Sequence, residues 1–363
     1  MNQLKRVLIM AGGTGGHVFP GLALARHLKT QGIEVHWLGT KQGLEASLVK
    51  DAGIPLHLIS ITGLRGKGLK TFLTAPIKMS KALKQSIHHI KQIKPDVIIG
   101  MGGFVSGPGG LASWLLRYPL VIHEQNARAG FTNKLLRPLA KRVLSGFPNV
   151  FQNNAKTMVV GNPIRAELTR LSKPALRLQT KTPFRLLVLG GSLGAKAINE
   201  VVPKALALLD KNERPTVTHQ TGNKHYEAAI AAYEAKGITA TLTPFISDMA
   251  SAYGNADMVL CRAGALTVAE LCAVGLGSIL VPFPYAVDDH QTINAHFLVD
   301  RNAAVCVAQQ NLSAEYLASL LSNLAREPEK RLAMAEAAYE ARRTQVTETI
   351  CQILHDIVKE AVI

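Results

Sequence analysis

An α/β fold of two doubly wound, Rossmann-like domains is predicted by three features of the sequence. The chain opens on a short aliphatic strand, Arg6 to Met10, which runs through Ala11-Gly12-Gly13-Thr14-Gly15-Gly16-His17 into a helix with apolar residues at helical spacing from Val18 to Leu28. The same succession recurs about 180 residues later, a spacing that marks a repeated unit: strand Phe184 to Leu189, loop Gly190-Gly191-Ser192-Leu193-Gly194-Ala195, helix Lys196 to Leu209. After each start, apolar strands alternate with helices, the order that builds a parallel sheet. A chain of 363 residues exceeds one ordinary core. The expected domains are 1–164 and 165–344, with the C-terminal helix 345–363 joining the first.

The first domain takes its next strand from Glu34 to Leu38, a helix from Leu44 to Lys50 and a short strand from Leu56 to Ile59. Gly63 to Gly68 is a basic loop, and Leu69 to Lys94 is helical despite Pro76. Asp96 to Gly100 is a buried strand that enters a second glycine-rich loop, Gly100 to Gly110, with a helix from Leu111 to Leu116 behind it. Leu120 to His123 is a further strand, Val143-Leu144 and Thr157 to Val160 supply the last ones, and Gly161-Asn162-Pro163-Ile164-Arg165 marks the exit. Ala166 to Pro183 has no clear period and reads as a linker. The second domain continues with strands at Thr216 to Gln220, Ala240 to Leu242, Met258 to Cys261, Ser278 to Val281 and Ala304 to Val307, and ends in helices Ser313 to Ala325, Glu329 to Arg343 and Val346 to Val362.

Charge is distributed unevenly. Residues 1–164 hold 21 Lys and Arg against 5 Asp and Glu, while the rest of the chain holds 20 against 20. An anionic partner of the first domain is expected, a nucleic acid or an acidic membrane surface. Eight of these cations lie between Leu64 and Lys94, interleaved with Leu69, Phe72, Leu73, Ile77, Met79, Leu83, Ile87 and Ile90, and the chain has no acidic residue between Asp51 and Asp96. Such a segment can lie on an anionic bilayer, or pack on a sheet with a solvated basic face. No apolar run is long enough to span a membrane and no signal peptide is evident, so the expectation is a cytosolic chain. The four cysteines, Cys261, Cys272, Cys306 and Cys351, lack metal-ligand spacing and read as reduced, buried thiols.

A loop between strand and helix exposes unpaired N–H groups at the positive end of a helix dipole, where phosphate can bind. The first loop is not a dinucleotide fingerprint: Gly13-Thr14-Gly15-Gly16-His17-Val18 lacks the third glycine, and the second strand ends Trp37-Leu38-Gly39-Thr40 without a carboxylate. Nor does a Gly-Lys-Ser or Gly-Lys-Thr follow at P-loop spacing. His17 stands in the first turn of the helix among glycines that leave room for a ligand; a neutral imidazole there can act as a general base, though a lone histidine can equally be structural. In Cys261-Arg262-Ala263-Gly264-Ala265-Leu266-Thr267-Val268-Ala269-Glu270 a strand turns into a helix whose free N–H groups suit a diphosphate. Glu270 follows in its second turn, with two acceptor oxygens suited to a ribose diol or simply to solvent. Asp288-Asp289-His290-Gln291-Thr292 is a polar loop that can read sugar hydroxyls, with a metal site from Asp288, Asp289 and His290 as the weaker alternative. His123-Glu124-Gln125-Asn126 places polar side chains at the carboxyl end of a strand, where open α/β sheets bind ligands.

Together, Gly12 to Gly21, Gly63 to Gly68, Gly102-Gly103-Phe104-Val105-Ser106-Gly107-Pro108, His123 to Asn126, Gly161 to Arg165, Gly190-Gly191-Ser192 and Gly264 to Glu270 closely resemble, in the same order over nearly the whole chain, the bacterial UDP-N-acetylglucosamine:lipid I N-acetylglucosaminyltransferases of peptidoglycan synthesis. The resemblance implies a GT-B glycosyltransferase fold with the active site in the cleft between its halves. It implies inverting transfer of N-acetylglucosamine from UDP-N-acetylglucosamine to the muramoyl 4-hydroxyl of undecaprenyl-diphosphoryl-MurNAc-pentapeptide, lipid I, giving lipid II. It further implies that no cofactor, metal ion or nucleic acid takes part, that the protein is peripheral on the cytoplasmic face of the cell membrane, and that it touches other cell-wall synthesis proteins. Matched motif by motif, the donor-binding positions are Thr14, Gly15, Gly16, Asn126, Arg165, Ser192, Ile246, Ala265, Leu266, Thr267, Val268, Ala269, Glu270 and Gln291. Glu270 would hold the ribose, Ile246 the uracil through its backbone, Ser192 and the helix start the diphosphate, and Gln291 the transferred sugar. His17 would deprotonate the acceptor hydroxyl with help from Glu124. Two departures stand out: His290-Gln291 replaces the pair of glutamines of some relatives, and Leu193 follows Ser192 where a polar residue is common. Two other readings keep the same residues: another user of UDP-N-acetylglucosamine, such as a 2-epimerase or a transferase to a different lipid, and a basic nucleic-acid or membrane binder with a vestigial pocket. The latter lacks the interleaved aromatics of single-strand binders.

Overall fold

The computed structural model describes residues 3–61, 69–178, 183–191 and 194–360. The basic loop Gly63 to Gly68, and Ser192 with Leu193, lie outside the described residues. The chain divides into two compact units, Met1–Ile164 with Gln345–Ile363, and Arg165–Thr344. Each is built on one parallel sheet.

In the first unit the strands are β1 (Arg6–Met10), β2 (Glu34–Gly39), β3 (Leu56–Leu58), β4 (Val97–Gly100), β5 (Leu120–Glu124), β6 (Arg142–Ser145) and β7 (Thr157–Val159). They lie in the order β3-β2-β1-β4-β5-β6-β7, every pair parallel. Alternation along β1 explains the layers: Val7 and Ile9 face one side of the sheet, Leu8 and Met10 the other. On the first side pack α1 (Gly15–Thr30) and α14 (Val346–Glu360), joining Leu24 and Leu28 to Ile350 and Leu354 in one apolar cluster with Val49 of α2 (Glu45–Asp51). On the second pack α3 (Leu69–Ile93), α4 (Gly103–Leu115) and α5 (Phe131–Leu136), burying Ala82, Ile90, Ala112 and Leu136 against Leu8, Ile98 and Ile122. The end of α14 is fixed to β6 by Glu360, which pairs with Arg142 at 2.9 Å and Lys141 at 3.2 Å.

The second glycine-rich stretch is not a loop through Gly110. Only Met101 and Gly102 intervene before α4, and the turn is made by Gly102 and Gly103, at φ +90° and +78°. The later glycines thin the helix for packing: a Cβ on Gly109 would strike the Met10 sulfur, and one on Gly110 would stand 2.7 Å from Leu136.

The second unit contains β8 (Arg185–Leu189), β9 (Thr216–Gln220), β10 (Thr241–Thr243), β11 (Met258–Cys261), β12 (Gly277–Leu280) and β13 (Ala304–Cys306), ordered β10-β9-β8-β11-β12-β13 and all parallel. Around this sheet stand α7 (Lys196–Leu208), α8 (Tyr226–Glu234), α9 (Met249–Gly254), α10 (Ala265–Val274), α11 (His290–Val299), α12 (Ala314–Arg326) and α13 (Pro328–Glu340). Ile198 and Val202 of α7 share a core with Leu317 and Leu321 of α12 and with Val188, Leu260 and Ile279 of the sheet. The stretch read as a linker is partly structured. A short helix α6 (Pro174–Arg177) ends in Arg177, whose guanidinium donates to the carbonyls of Tyr253, Val274 and Gly275 and so binds the segment to the second unit.

The expected pair of doubly wound sheets is therefore present. In each, strand order reverses between the first and fourth strands, β1 and β4 in one unit and β8 and β11 in the other. Loops diverge there and leave a crevice at the carboxyl ends of the strands, which is where ligands of such sheets bind.

Candidate active site

In the first unit the crevice is formed by the loop from β1 to α1, the turn after β4 and the end of β5. The first loop is held from below by Glu45, fully buried, whose carboxylate accepts from Gly13 N at 3.1 Å, Thr40 N at 3.0 Å and Thr40 Oγ1 at 2.7 Å. Thr14 precedes α1, and His17 N and Val18 N close the first turn on the Thr14 carbonyl. Thr14 and Gly16 are exposed, and a Cβ on Gly16 would meet nothing nearer than Thr14 Oγ1 at 3.8 Å. That leaves backbone at the helix start open to a ligand.

His17 is half-buried and turned toward the other loops. Its Nδ1 lies 2.9 Å from Gln125 Oε1, and a Cβ on Gly102 would stand 2.9 Å from the same nitrogen. Gln125 in turn reaches His123, whose Nε2 lies 2.8 Å from the carbonyl of Gly161. Burial pushes the His123 imidazole down to about 4, against smaller opposing effects of the Gly161 hydrogen bond and Glu124. Glu124 is occupied elsewhere: one oxygen accepts from Asn126 N and Nδ2 at 3.0 and 3.2 Å, the other from Gly130 N and Asn133 Nδ2, both at 2.9 Å. A carboxylate with four donors holds the loop that carries Asn126.

In the second unit the crevice lies between the loop after β8 and the start of α10. Gly190 N donates to the Gln220 carbonyl at 2.8 Å. Behind that loop, buried His219 bridges Tyr233 and Asn199, each at 3.0 Å, and Asn199 holds the Thr221 carbonyl. α10 begins after Gly264, so the N–H groups of Ala265, Leu266 and Thr267 fall in its first turn. Glu270 is nearly buried on the same helix and accepts from Tyr253 Oη at 3.1 Å. Burial pushes its carboxyl above the usual range, while the Arg165 charge and the tyrosine hydrogen bond draw it back down. A carboxylate beside a cation, with a tyrosine fixing one oxygen, is equipped to accept hydroxyl donors through the other. Arg262 pins the next loop, donating to the Val281 and Pro282 carbonyls at 3.1 Å and to Gln309 Oε1 at 2.6 Å. Gln291 Oε1 accepts from Phe283 N at 2.9 Å, so its amide nitrogen is the end available to a sugar.

Two family models cover most of the chain: the glycosyltransferase family 28 N-terminal domain matches residues 7–145 and the glycosyltransferase family 28 C-terminal domain residues 185–350. The chain belongs to glycosyltransferase family 28. Within the family it is 53% identical, over 95% of its length and 96% of the relative's, to the UDP-N-acetylglucosamine–N-acetylmuramyl-(pentapeptide) pyrophosphoryl-undecaprenol N-acetylglucosamine transferase of Marinobacter nauticus. It is 52% identical to the transferase of the same name from Nitrosococcus oceani, over 96% and 97%. Among solved structures, the MurG of Acinetobacter baumannii superposes with a TM-score of 0.83 at 41% identity, covering 97% of this chain and 99% of that one.

In this family 28 chain the predicted residues fall into two groups. Thr14, Gly15, Gly16, His17, Glu124 and Asn126 lie in the first unit, where His17 reaches Gln125, between Glu124 and Asn126 in sequence. Arg165 and Glu270 come together in the second, where Ala265, Leu266, Thr267, Val268 and Ala269 form the start of the same helix. Ile246 lies in the loop between β10 and α9, and Gln291 in the first turn of α11. Asp288 and Asp289 adopt left-handed φ of +56° and +50°, and among the described residues no group of three or more His, Cys, Asp or Glu is arranged to hold a metal ion. The motifs gave no role to Glu45, Gln125, Tyr253 or Arg262. Gln125 lies within His123-Glu124-Gln125-Asn126 and Arg262 within Cys261 to Glu270, the two signals that the sequence offered.

Proposed function

We propose that this chain transfers N-acetylglucosamine from UDP-N-acetylglucosamine to the 4-hydroxyl of the muramoyl sugar of lipid I, with inversion, forming lipid II for peptidoglycan synthesis. The observation that carries the reading is identity above 50% over nearly the whole length of relatives named for that transfer. The second unit binds the nucleotide. Glu270 takes the ribose hydroxyls, the Ile246 backbone the uracil, Gln291 the sugar, and the loop of Ser192 with the start of α10 the diphosphate. Asn126 and the Thr14 to Gly16 turn are further donor-binding positions.

The chemistry follows from charge flow. His17 takes the proton of the 4-hydroxyl as its oxygen attacks the anomeric carbon, and the bond from that carbon to the diphosphate oxygen breaks on the opposite face. UDP leaves carrying the negative charge, which Arg165 and the helix N-terminus stabilise. Glu124 serves by holding Asn126, since its oxygens are already taken. Incubation with labelled UDP-N-acetylglucosamine and a lipid I analogue is expected to yield a disaccharide lipid. Label appearing instead on a soluble acceptor, or an epimerised nucleotide sugar formed without lipid, contradicts the reading.

The acceptor is a lipid, and exposed residues of the first unit support contact with a membrane. On the face carrying α3, α4 and α5, Ile77, Trp114, Leu115, Phe131 and Leu135 are exposed, Ile77 at 73%, with Lys78, Lys81 and Lys84 exposed along α3. Met79, Leu83 and Ile87, by contrast, pack on the core and are not available to a bilayer. Among the described residues no helix is long and apolar enough to cross a membrane. Attachment to the cytoplasmic face of an anionic membrane through this patch is our reading of the charge asymmetry.

A further inference from the structure

We infer that Gln125 and His123 are positioning residues that fix which nitrogen of His17 carries its proton. The inference rests on His17 being the base of the proposed reaction and names the device that makes it one.

The relay starts at a group with no choice. The Gly161 carbonyl can only accept, so His123 Nε2, 2.8 Å away, must carry a hydrogen and donate it. His123 is fully buried, and burial holds it neutral at ordinary pH. A neutral imidazole has one N–H, so His123 Nδ1 presents a lone pair. Gln125 stands 3.0 Å from that lone pair and must turn its amide nitrogen toward it; the opposite orientation would set oxygen against nitrogen with no proton between them. The same amide nitrogen also reaches the His123 carbonyl at 3.3 Å, and Asn162 ties the Gln125 carbonyl at 3.0 Å. With the amide oriented, Gln125 Oε1 faces His17 Nδ1 at 2.9 Å and can only accept. In its neutral form His17 therefore keeps its proton on Nδ1, and Nε2 is the bare nitrogen.

This is the reverse of the form a free neutral histidine prefers, which carries the proton on Nε2. Left alone, the ring would hold a proton where a base needs a lone pair. The chain from Gly161 through His123 and Gln125 overrides that preference, as second partners of catalytic imidazoles do when they set tautomer and orientation. Gly102 lets the ring sit there, since any side chain at that position would crowd Nδ1.

The test reads the tautomer directly. In full-length protein labelled with nitrogen-15 histidine, the His17 ring is assigned by its loss in His17→Ala. Wild type is expected to show a protonated Nδ1 and an unprotonated Nε2. In Gln125→Leu the His17 signals are expected to move toward the Nε2-protonated form, and kcat to fall on the order of tenfold with little change in KM for the nucleotide sugar. A wild-type His17 protonated on Nε2, or a Gln125→Leu protein with unchanged His17 signals, overturns the inference without reference to any variant's activity. Full transfer by His17→Ala would instead overturn the base assignment, which the nitrogen spectra do not address.

Discussion

Glu45 shows how a residue outside every motif can decide whether a motif works. Its carboxylate collects the loop after β1 and the end of β2 through three donors, in a site with no exposure to water. Replacing it by alanine leaves those donors without a partner and is expected to destabilise the first unit by roughly 2–4 kcal/mol, read as a lower denaturant midpoint. Nothing in the sequence announced this role, because Glu45 opens an ordinary helix and meets the glycine loop only through the fold. Glu270 was legible for the opposite reason: a carboxylate in the second turn of a helix that follows a strand and a glycine turn has a local address. Its tyrosine partner did not, since Tyr253 arrives from another helix, α9. Glu124 was legible as polar and close to Asn126, yet its work could be assigned only once four donors were seen on its oxygens.

Elements were easier to read than side-chain roles. Aliphatic runs such as Arg6 to Met10 and Met258 to Cys261 are strands because both faces of a parallel sheet are buried. One exception was the second glycine-rich stretch, where composition suggested a loop and packing produced a helix; the expected linker, which holds α6, was another. Gly107, Gly109 and Gly110 lie within α4, and at two of them close approach to Met10 and Leu136 leaves no room for a side chain. The C-terminal helix makes the complementary point. α14 follows the last element of the second unit in sequence but lies in the core of the first, with Ile350 and Leu354 fully buried beside Leu24 and Leu28. Leu354→Ala is therefore expected to cost about 2–5 kcal/mol, and the loss should fall on the transition of the first unit, visible as earlier exchange of amides in β1 and β4 during native-state hydrogen exchange.

At the scale of the molecule, the excess positive charge of the first 164 residues and the exposed apolar residues of α3, α4 and α5 meet in one unit. Each lysine near an anionic surface contributes about 1 kcal/mol. Changing Lys78, Lys81 and Lys84 together to glutamate is thus expected to weaken binding to anionic vesicles by well over tenfold, with little effect on neutral ones, and added salt should weaken the wild type in the same direction. Binding indifferent to both would place the attachment elsewhere. Two sheets with their switch points, one beside a histidine and the other beside a glycine turn into a helix, could be foreseen from the repeated strand, glycine loop and helix. What required coordinates was the set of buried amide, imidazole and carboxylate bonds that aim those parts. The central claim is that His17 accepts the proton when N-acetylglucosamine passes to lipid I. The most direct measurement is kcat for transfer to a lipid I analogue at saturating UDP-N-acetylglucosamine, wild type against His17→Ala. A fall of about 10²–10⁴-fold, the usual worth of a general base, with nucleotide affinity retained, is the predicted result. Transfer at the wild-type rate by His17→Ala would contradict it.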